Sequence, residues 1–229
     1  MKLKISIMVI FISLLSFVAN AQEKNILPGW AFGGFVRPTN VNPIISPDSS
    51  VVFTDPMTGR KNHWESDNTF NPAATIKDGK VIVLYRAEDN SGNKIGLHTS
   101  RIGFAESNNG LHFTKKDQPV LYPANDDQKE FEWPGGCEDP RVAVTEKGMY
   151  VMFYTQWNRK LPRLGVATST DLIHWKKNGP IFKKAYNGKF FNMATKSASI
   201  ITKLAGEKQI IAKINGKYWL YCGEHHVYA

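Results

Sequence analysis

The stretch Gly135-Gly136-Cys137-Glu138-Asp139-Pro140-Arg141 gathers the densest chemistry in this chain. Similar polar clusters occur elsewhere. They are Phe70-Asn71-Pro72-Ala73, Arg86-Ala87-Glu88-Asp89, Thr155-Gln156-Trp157-Asn158-Arg159 and Cys222-Gly223-Glu224-His225. Carboxylates, arginines and aromatics converging on one place are what a saccharide site needs. Aromatic faces stack on sugar rings, and carboxylates supply the acid and base that cleave a glycosidic bond. The residues that could touch a sugar are therefore Asn71, Arg86, Glu88, Asp89, Arg141, Trp157 and His225.

Each of these has a plainer role open to it. Asp139 before a proline suits a turn. Arg141 could pair with Glu138 on the surface, and Glu224 and His225 could be solvated strand ends. His112 and His174 stand at matching positions 62 residues apart, which favours turn stabilisation over catalysis. No metal is expected. There is no C-x-x-C spacing, and His225-His226 are adjacent, so on a strand they point to opposite faces. A phosphate-cradling glycine loop, a G-x-S-x-G elbow and an H-E-x-x-H helix are also missing.

The elements that must position these clusters repeat. Asp78-Gly79, Lys147-Gly148 and Asn215-Gly216 each open an apolar run that ends near a tyrosine: Tyr85, Tyr154 and Tyr221. The glycines are 69 and 68 residues apart, and Asn71 and Asp139 are 68 apart. Ile102-Gly103-Phe104 and Leu164-Gly165-Val166 recur at 62. Fixed-period similarity in strand-rich sequence marks a propeller or another radial array. Strands are expected at 73–76, 80–86, 96–102, 142–145, 149–156, 163–168, 199–202, 209–213 and 218–222. The tyrosines are expected to fill the core between sheets. About three repeats are present, with a further one conceivable within 25–66, and the segment from Trp30 to Trp64 leads in.

Bulk properties narrow the class. Lys2 and Lys4 precede an apolar run from Ile5 to Val18, and Ala19-Asn20-Ala21 is an A-x-A cleavage site. Residues 1–21 therefore read as a signal peptide and 22–229 as the functional domain. The run is too short for a membrane anchor, so no membrane attachment is expected after cleavage. The net charge of +9 is spread over single and paired lysines such as Lys115-Lys116, Lys176-Lys177 and Lys183-Lys184. That is a solvated basic surface rather than a nucleic-acid groove. Cys137 and Cys222 are the two cysteines, and both are expected as buried free thiols.

Taken in order, Asn71-Pro72-Ala73, Tyr85-Arg86-Ala87-Glu88, Gly136-Cys137-Glu138-Asp139-Pro140-Arg141, Arg163-Leu164-Gly165-Val166-Ala167-Thr168-Ser169 and Lys213-Ile214-Asn215-Gly216-Lys217-Tyr218-Trp219 resemble glycoside hydrolase family 130. That family holds β-mannoside phosphorylases and β-1,2-mannosidases. The resemblance implies an all-β, five-bladed propeller, incomplete in this chain because family members are longer. It implies that Asp139 is the acid, protonating the leaving oxygen through a sugar hydroxyl. In a phosphorylase, inorganic phosphate is the co-substrate and Arg86, Lys213 and Arg163 or Arg159 would hold it. In a hydrolase, water needs a carboxylate base, and Glu224 is the candidate. No other cofactor is implied.

The exported leader and Glu224 favour an inverting, periplasmic or extracellular β-mannoside hydrolase acting on oligosaccharides. A phosphorylase releasing mannose 1-phosphate is the alternative. Two readings stand further back. A furanosidase-type propeller needs an early aspartate, and Asp48, Asp55 and Asp67 stand in poor contexts for it. A non-catalytic glycan-binding propeller is the other. The oligomeric state is open.

Overall fold

The computed structural model describes residues 34–229. The expected leader at residues 1–21 and the start of the lead-in segment fall outside them. Two compact units divide at Pro38, and the sheets and the site all belong to the second, Thr39–Ala229.

Among the described residues the chain is nearly all β. A hairpin of β1 (Phe53–Asp55) and β2 (Arg60–Asn62) comes first. It is the only pairing found before Asn68 among the described residues, so 34–66 does not supply a further four-stranded repeat. An antiparallel meander follows: β3 (Asn68–Lys77), β4 (Lys80–Glu88), β5 (Ser100–Ser107) and β6 (Thr114–Lys115). After the one-turn helix α1 (Lys129–Glu132) comes a second meander: β7 (Gly136–Val144), β8 (Tyr150–Trp157), β9 (Arg163–Ser169) and β10 (Lys176–Pro180). Shorter strands close the chain: β11 (Ser199–Ile200), β12 (Thr202–Ala205), β13 (Lys208–Ile211), β14 (Lys213–Ile214), β15 (Lys217–Tyr218), β16 (Leu220–Gly223) and β17 (Val227–Tyr228). The three expected hairpin glycines all sit in turns at positive φ, with Asp78 and Asn215 before two of them also left-handed.

Period-two alternation sorts the core. On β4, Ile82 and Leu84 face one apolar cluster with Ile102, Phe104, Met152 and Tyr154. Val83, Tyr85 and Ala87 face another with Phe53 and Trp64. On β8, Phe153 turns the other way, towards Leu164, Ala198 and Cys222. Each meander is thus apolar on both faces, which is how neighbouring sheets stack. Fully burying one such side chain is worth roughly 1.5–3 kcal/mol. Cys137 and Cys222 are buried free thiols, as expected.

The tyrosines do more than fill space. Tyr85 Oη donates to Glu65 at 2.8 Å, and Lys115 Nζ reaches the same carboxylate at 2.8 Å. Tyr154 Oη donates to Glu132 at 2.7 Å, and Lys177 pairs with that carboxylate. Lys115 and Lys177 are 62 residues apart, so a Tyr–Glu–Lys network repeats with the sheets. This explains the repeated Gly103 and Gly165, which lie opposite Tyr85 and Tyr154 in the ladder. A Cβ on Gly103 would sit 2.3 Å from the Tyr85 ring. Tyr221 breaks the pattern: it is 44% exposed and fills no core.

Six strand expectations shift, in three ways. The strand expected at 96–102 begins at Ser100, because Asp89 Oδ1 accepts from the backbone of Ser91 and of Thr99 and closes 90–99 as a loop. The strands expected from Ala73 and Val142 start earlier and carry the Asn71-Pro72 and Glu138-Asp139-Pro140-Arg141 segments inside them. Finally, the 199–202, 209–213 and 218–222 strands are broken into shorter pieces.

Candidate active site

A proline cannot donate to a ladder, so Pro72 and Pro140 are accommodated in irregularities between Phe70 and Ala73 and between Glu138 and Arg141. The residue before each proline is left-handed: Asn71 at φ 47 and Asp139 at φ 49. Asn and Asp tolerate that region better than other side chains. The two bulges bring the side chains together, and Asn71 Nδ2 donates to Asp139 Oδ1 at 2.7 Å. Just before β11 a left-handed residue recurs with no proline after it. Ser197 is left-handed at φ 55. Lys196 precedes it just as Phe70 and Glu138 precede Asn71 and Asp139.

Arg86 occupies the centre and is 4% exposed. Its Nε donates to Ser100 Oγ at 3.0 Å. Nη2 lies 2.5 Å from Glu88 Oε1 and 2.9 Å from Glu138 Oε1, and Nη1 lies 3.1 Å from Asp139 Oδ1. The guanidinium carbon stacks over the Phe70 ring at 4.6 Å. Lys196 Nζ is 3.4 Å from both Glu138 Oε2 and Asp139 Oδ2. Asp139 Oδ1 is therefore tied to Asn71 and Arg86, while Oδ2 faces Lys196 alone among the described residues.

The two adjacent carboxylates are driven apart. Burial pushes Glu138 up, and Arg86 and Lys196 only partly offset it. Burial also opposes the charge on Asp139, but Arg86, Asn71 and Lys196 outweigh it and hold that carboxyl below its ordinary value of 3.8. A group whose folded pKa lies below its unfolded one contributes stability above the unfolded value and loses it as pH falls through the folded one. Asp139→Asn should therefore lower the melting temperature by a constant amount above about pH 5, and the gap should close below about pH 4. A gap that persists unchanged at about pH 2 would mean that the charge of Asp139 is not what stabilises the fold.

Ser100 links this cluster to the sheet junction. Its Oγ also donates to Glu88 Oε1 at 3.1 Å, and its backbone N–H donates to Gly135 at 2.8 Å. Ser100 bridges Gly136 in the one parallel contact between the two meanders. Gly136 is at φ 105, and a Cβ there would lie 2.0 Å from the Ser100 carbonyl oxygen. Gly136→Ala should cost roughly 2 kcal/mol or more and weaken the Ser100–Arg86 contact with it. Chemical denaturation reads this directly, and a loss under about 0.5 kcal/mol would contradict the close approach.

Of the residues singled out in the sequence, Asn71, Arg86, Glu88 and Asp139 meet in this cluster. Glu138, first considered as a surface partner of Arg141, is buried in it. Arg141 is half-buried, and its Nη1 donates to the carbonyl of Pro140. It lines a cavity of about 400 Å³ with Pro72, Phe153, Ser199 and Ile200. Asp89 belongs elsewhere: it pairs with the buried Arg101 at 2.8 Å and accepts from Asn62. Trp157 is half-buried with Nε1 donating to the Gly96 carbonyl.

The expected phosphate set is not assembled. Arg163 donates to Phe191 O and Asn192 and stacks between the Phe131 and Phe191 rings. Arg159 sits in a left-handed turn after β8. Lys213 is exposed over the Tyr218 ring. Glu224 and His225 are exposed, and no hydrogen bond joins either to the cluster among the described residues. The backbone does bring Glu224 near, because the N–H of Gly223 donates to the carbonyl of Lys196 at 3.0 Å.

Sequence reasoning missed Lys196, Ser100, Asn68 and Phe70 as members of the site. Phe70 stood in a noticed cluster without being given a role, and Asn68 lies two residues before that cluster. Lys196 carried a faint signal, a polar pair at the start of the third inner strand, hidden by the absence of proline.

Comparison with known proteins places the chain. A family model described as β-1,4-mannooligosaccharide phosphorylase, of glycoside hydrolase family 130, matches residues 42–229. A 1,2-β-oligomannan phosphorylase of Thermoanaerobacter sp. (strain X514) is 32% identical over 166 residues, covering 71% of this chain and 48% of that protein. One solved structure comes from work reporting that the GH130 family of mannoside phosphorylases contains glycoside hydrolases that target β-1,2 mannosidic linkages in Candida mannan. It is 60% identical with a TM-score of 0.86, over 89% of this chain and 56% of that one. A glycosyl hydrolase from Bacteroides ovatus is also 60% identical, with a TM-score of 0.85, over 88% of this chain and 56% of that one. The chain thus spans about half the length of the relatives it matches.

Proposed function

The chain belongs to glycoside hydrolase family 130, whose members are glycoside phosphorylases or hydrolases acting on β-mannosides, and from that premise we propose that it carries the acid side of a β-mannoside hydrolase site. The two meanders and the third set of strands are blades of a five-bladed propeller, with β3, β7 and β11 nearest its axis. The substrate is a β-1,2-linked manno-oligosaccharide. Support for the linkage comes from the 60% identical structure reported with hydrolases of β-1,2 linkages and from the 32% identical 1,2-β-oligomannan phosphorylase. The apolar leader with its A-x-A site supports export to the periplasm or beyond.

The observation that carries hydrolysis is the state of Arg86. All three of its nitrogens are committed, to Ser100, Glu88, Glu138 and Asp139. A guanidinium saturated by three carboxylates has little positive charge left for a phosphate dianion. Arg163 and Lys213 are engaged elsewhere. Water, being neutral, needs a base instead of a cation. Glu224 fills that role, with a water between it and Asp139, as inverting pairs require at about 6.5–9.5 Å.

In the mechanism, Asp139 Oδ2 works against the leaving oxygen. Arg86, Asn71 and Lys196 favour its ionised form in the free site, so it takes up a proton before each turnover: Asp139 gives that proton to a sugar hydroxyl, the hydroxyl passes its own to the leaving oxygen, and Glu224 accepts the proton of the attacking water. The experiment is incubation of the full-length enzyme with β-1,2-mannobiose, with and without phosphate. Release of free mannose at the same rate in both supports the reading. Strict dependence on phosphate with mannose 1-phosphate appearing would transfer the site to the phosphorylase reading, which the family model's description and the 32% identical relative favour.

A further inference from the structure

On the flank of the Arg86 cluster, Asp67, Glu88 and His98 each bring a ligand atom to within 4.8 Å of the others. His98 is 7% exposed, and its Nδ1 lies 2.9 Å from the carbonyl oxygen of Asp89. A carbonyl only accepts, so Nδ1 carries the hydrogen. In the neutral ring Nε2 is then a lone pair. It lies 3.5 Å from Asp67 Oδ2 and makes no hydrogen bond among the described residues. A lone pair turned towards two carboxylates is repulsive unless a proton, a water or a metal ion lies between them. An imidazole whose Nδ1–H is fixed on a backbone carbonyl is also the arrangement that orients a metal-binding histidine.

The carboxylates are placed for the same purpose. Glu88 Oε1 is taken by Arg86 and Ser100. Its Oε2 meets only the side-chain amide of Asn68, at 3.2 Å, and that amide also lies 2.6 Å from Asp67 Oδ2. Turning the amide over exchanges nitrogen for oxygen at the same place and adds a fourth donor. Charge points the same way. Glu88, Glu138 and Asp139 meet Arg86 and Lys196, three carboxylates against two cations, and Asp67 adds a further carboxylate beside His98.

We propose that Asp67, Glu88 and His98, with the Asn68 carbonyl oxygen, bind a divalent first-row metal ion. One imidazole with carboxylate oxygens suits Mn²⁺ or Zn²⁺ better than Mg²⁺ or Ca²⁺. The ion balances the excess negative charge and gives Glu88 a second anchor, which holds Arg86 in turn. The sequence offered no metal motif, because the ligands fall at 67, 68, 88 and 98 and are joined only by the β3–β4 pairing and the loop that Asp89 closes.

The test titrates the metal-free full chain with MnCl₂ and with ZnCl₂, by calorimetry and, for Mn²⁺, by electron paramagnetic resonance. One ion should bind per chain, and the melting temperature should rise with Mn²⁺ or Zn²⁺ and not with Mg²⁺. His98→Gln and Asp67→Asn should each weaken binding about tenfold or more. A His225→Gln/His226→Gln variant should bind as the wild type does. Asp67 is 39% exposed in its side chain, so its variant keeps the test meaningful if His98→Gln fails to fold. No one-to-one binding by the wild type, or binding unchanged in the Asp67 variant, overturns the proposal.

Discussion

Asp139→Asn should lower turnover of unactivated β-mannosides by about 10²–10⁴-fold in the full-length enzyme, the range for losing an acid or base. The change is close to isosteric, and Asn71 and Arg86 can still donate to a side-chain oxygen at this position. The bulge also survives, because Asn is as tolerant of the left-handed region as Asp. What is lost is the carboxyl oxygen Oδ2, facing Lys196, that delivers the proton. On mannosides with a good leaving group the departing oxygen needs no proton, so the loss should be much smaller. Equal losses on both substrate classes would make Asp139 a binding or structural residue.

The second large effect is on stability. Arg86→Met leaves Glu88, Glu138 and Asp139 buried without their common cation. Removing one partner of a buried ion pair costs about 3–5 kcal/mol. For a chain of this size that is a fall of roughly 10 °C in melting temperature. Arg86→Lys should recover little, since a single ammonium cannot reach four partners in the fork geometry of a guanidinium. The deficit of Arg86→Met should shrink in acid, as the orphaned carboxylates take up protons. A loss below about 1 kcal/mol at neutral pH would mean that the cluster is more hydrated than its burial indicates.

How much of this was legible in the sequence follows from range. The turns at Gly79, Gly148 and Gly216 depend on neighbouring residues, and the sequence carries them plainly. So does the Asn71/Asp139 equivalence, because a proline next to a residue that tolerates positive φ leaves a visible mark. The pairing of Asp89 with Arg101 was not legible. Asp89 stands beside Glu88 in the same polar cluster, yet successive residues of an extended chain face opposite sides, and only the fold reveals which side meets Arg86. Tyr85 and Tyr154 were read as core, and the buried hydroxyl–carboxylate–lysine network needed Glu65 and Glu132, which lie outside the repeating strands. Lys196 stayed hidden because the third inner strand turns at Ser197 without a proline.

The cluster is proposed to belong to an inverting site that hydrolyses β-mannosides. Its most direct test follows the first minutes of β-1,2-mannobiose cleavage by proton NMR, without phosphate, using the full-length enzyme and comparing it with Asp139→Asn. α-Mannose should appear first and mutarotate to the β form, and the variant should show almost none of it on the same timescale. First appearance of β-mannose, or no cleavage until phosphate is added, would contradict it.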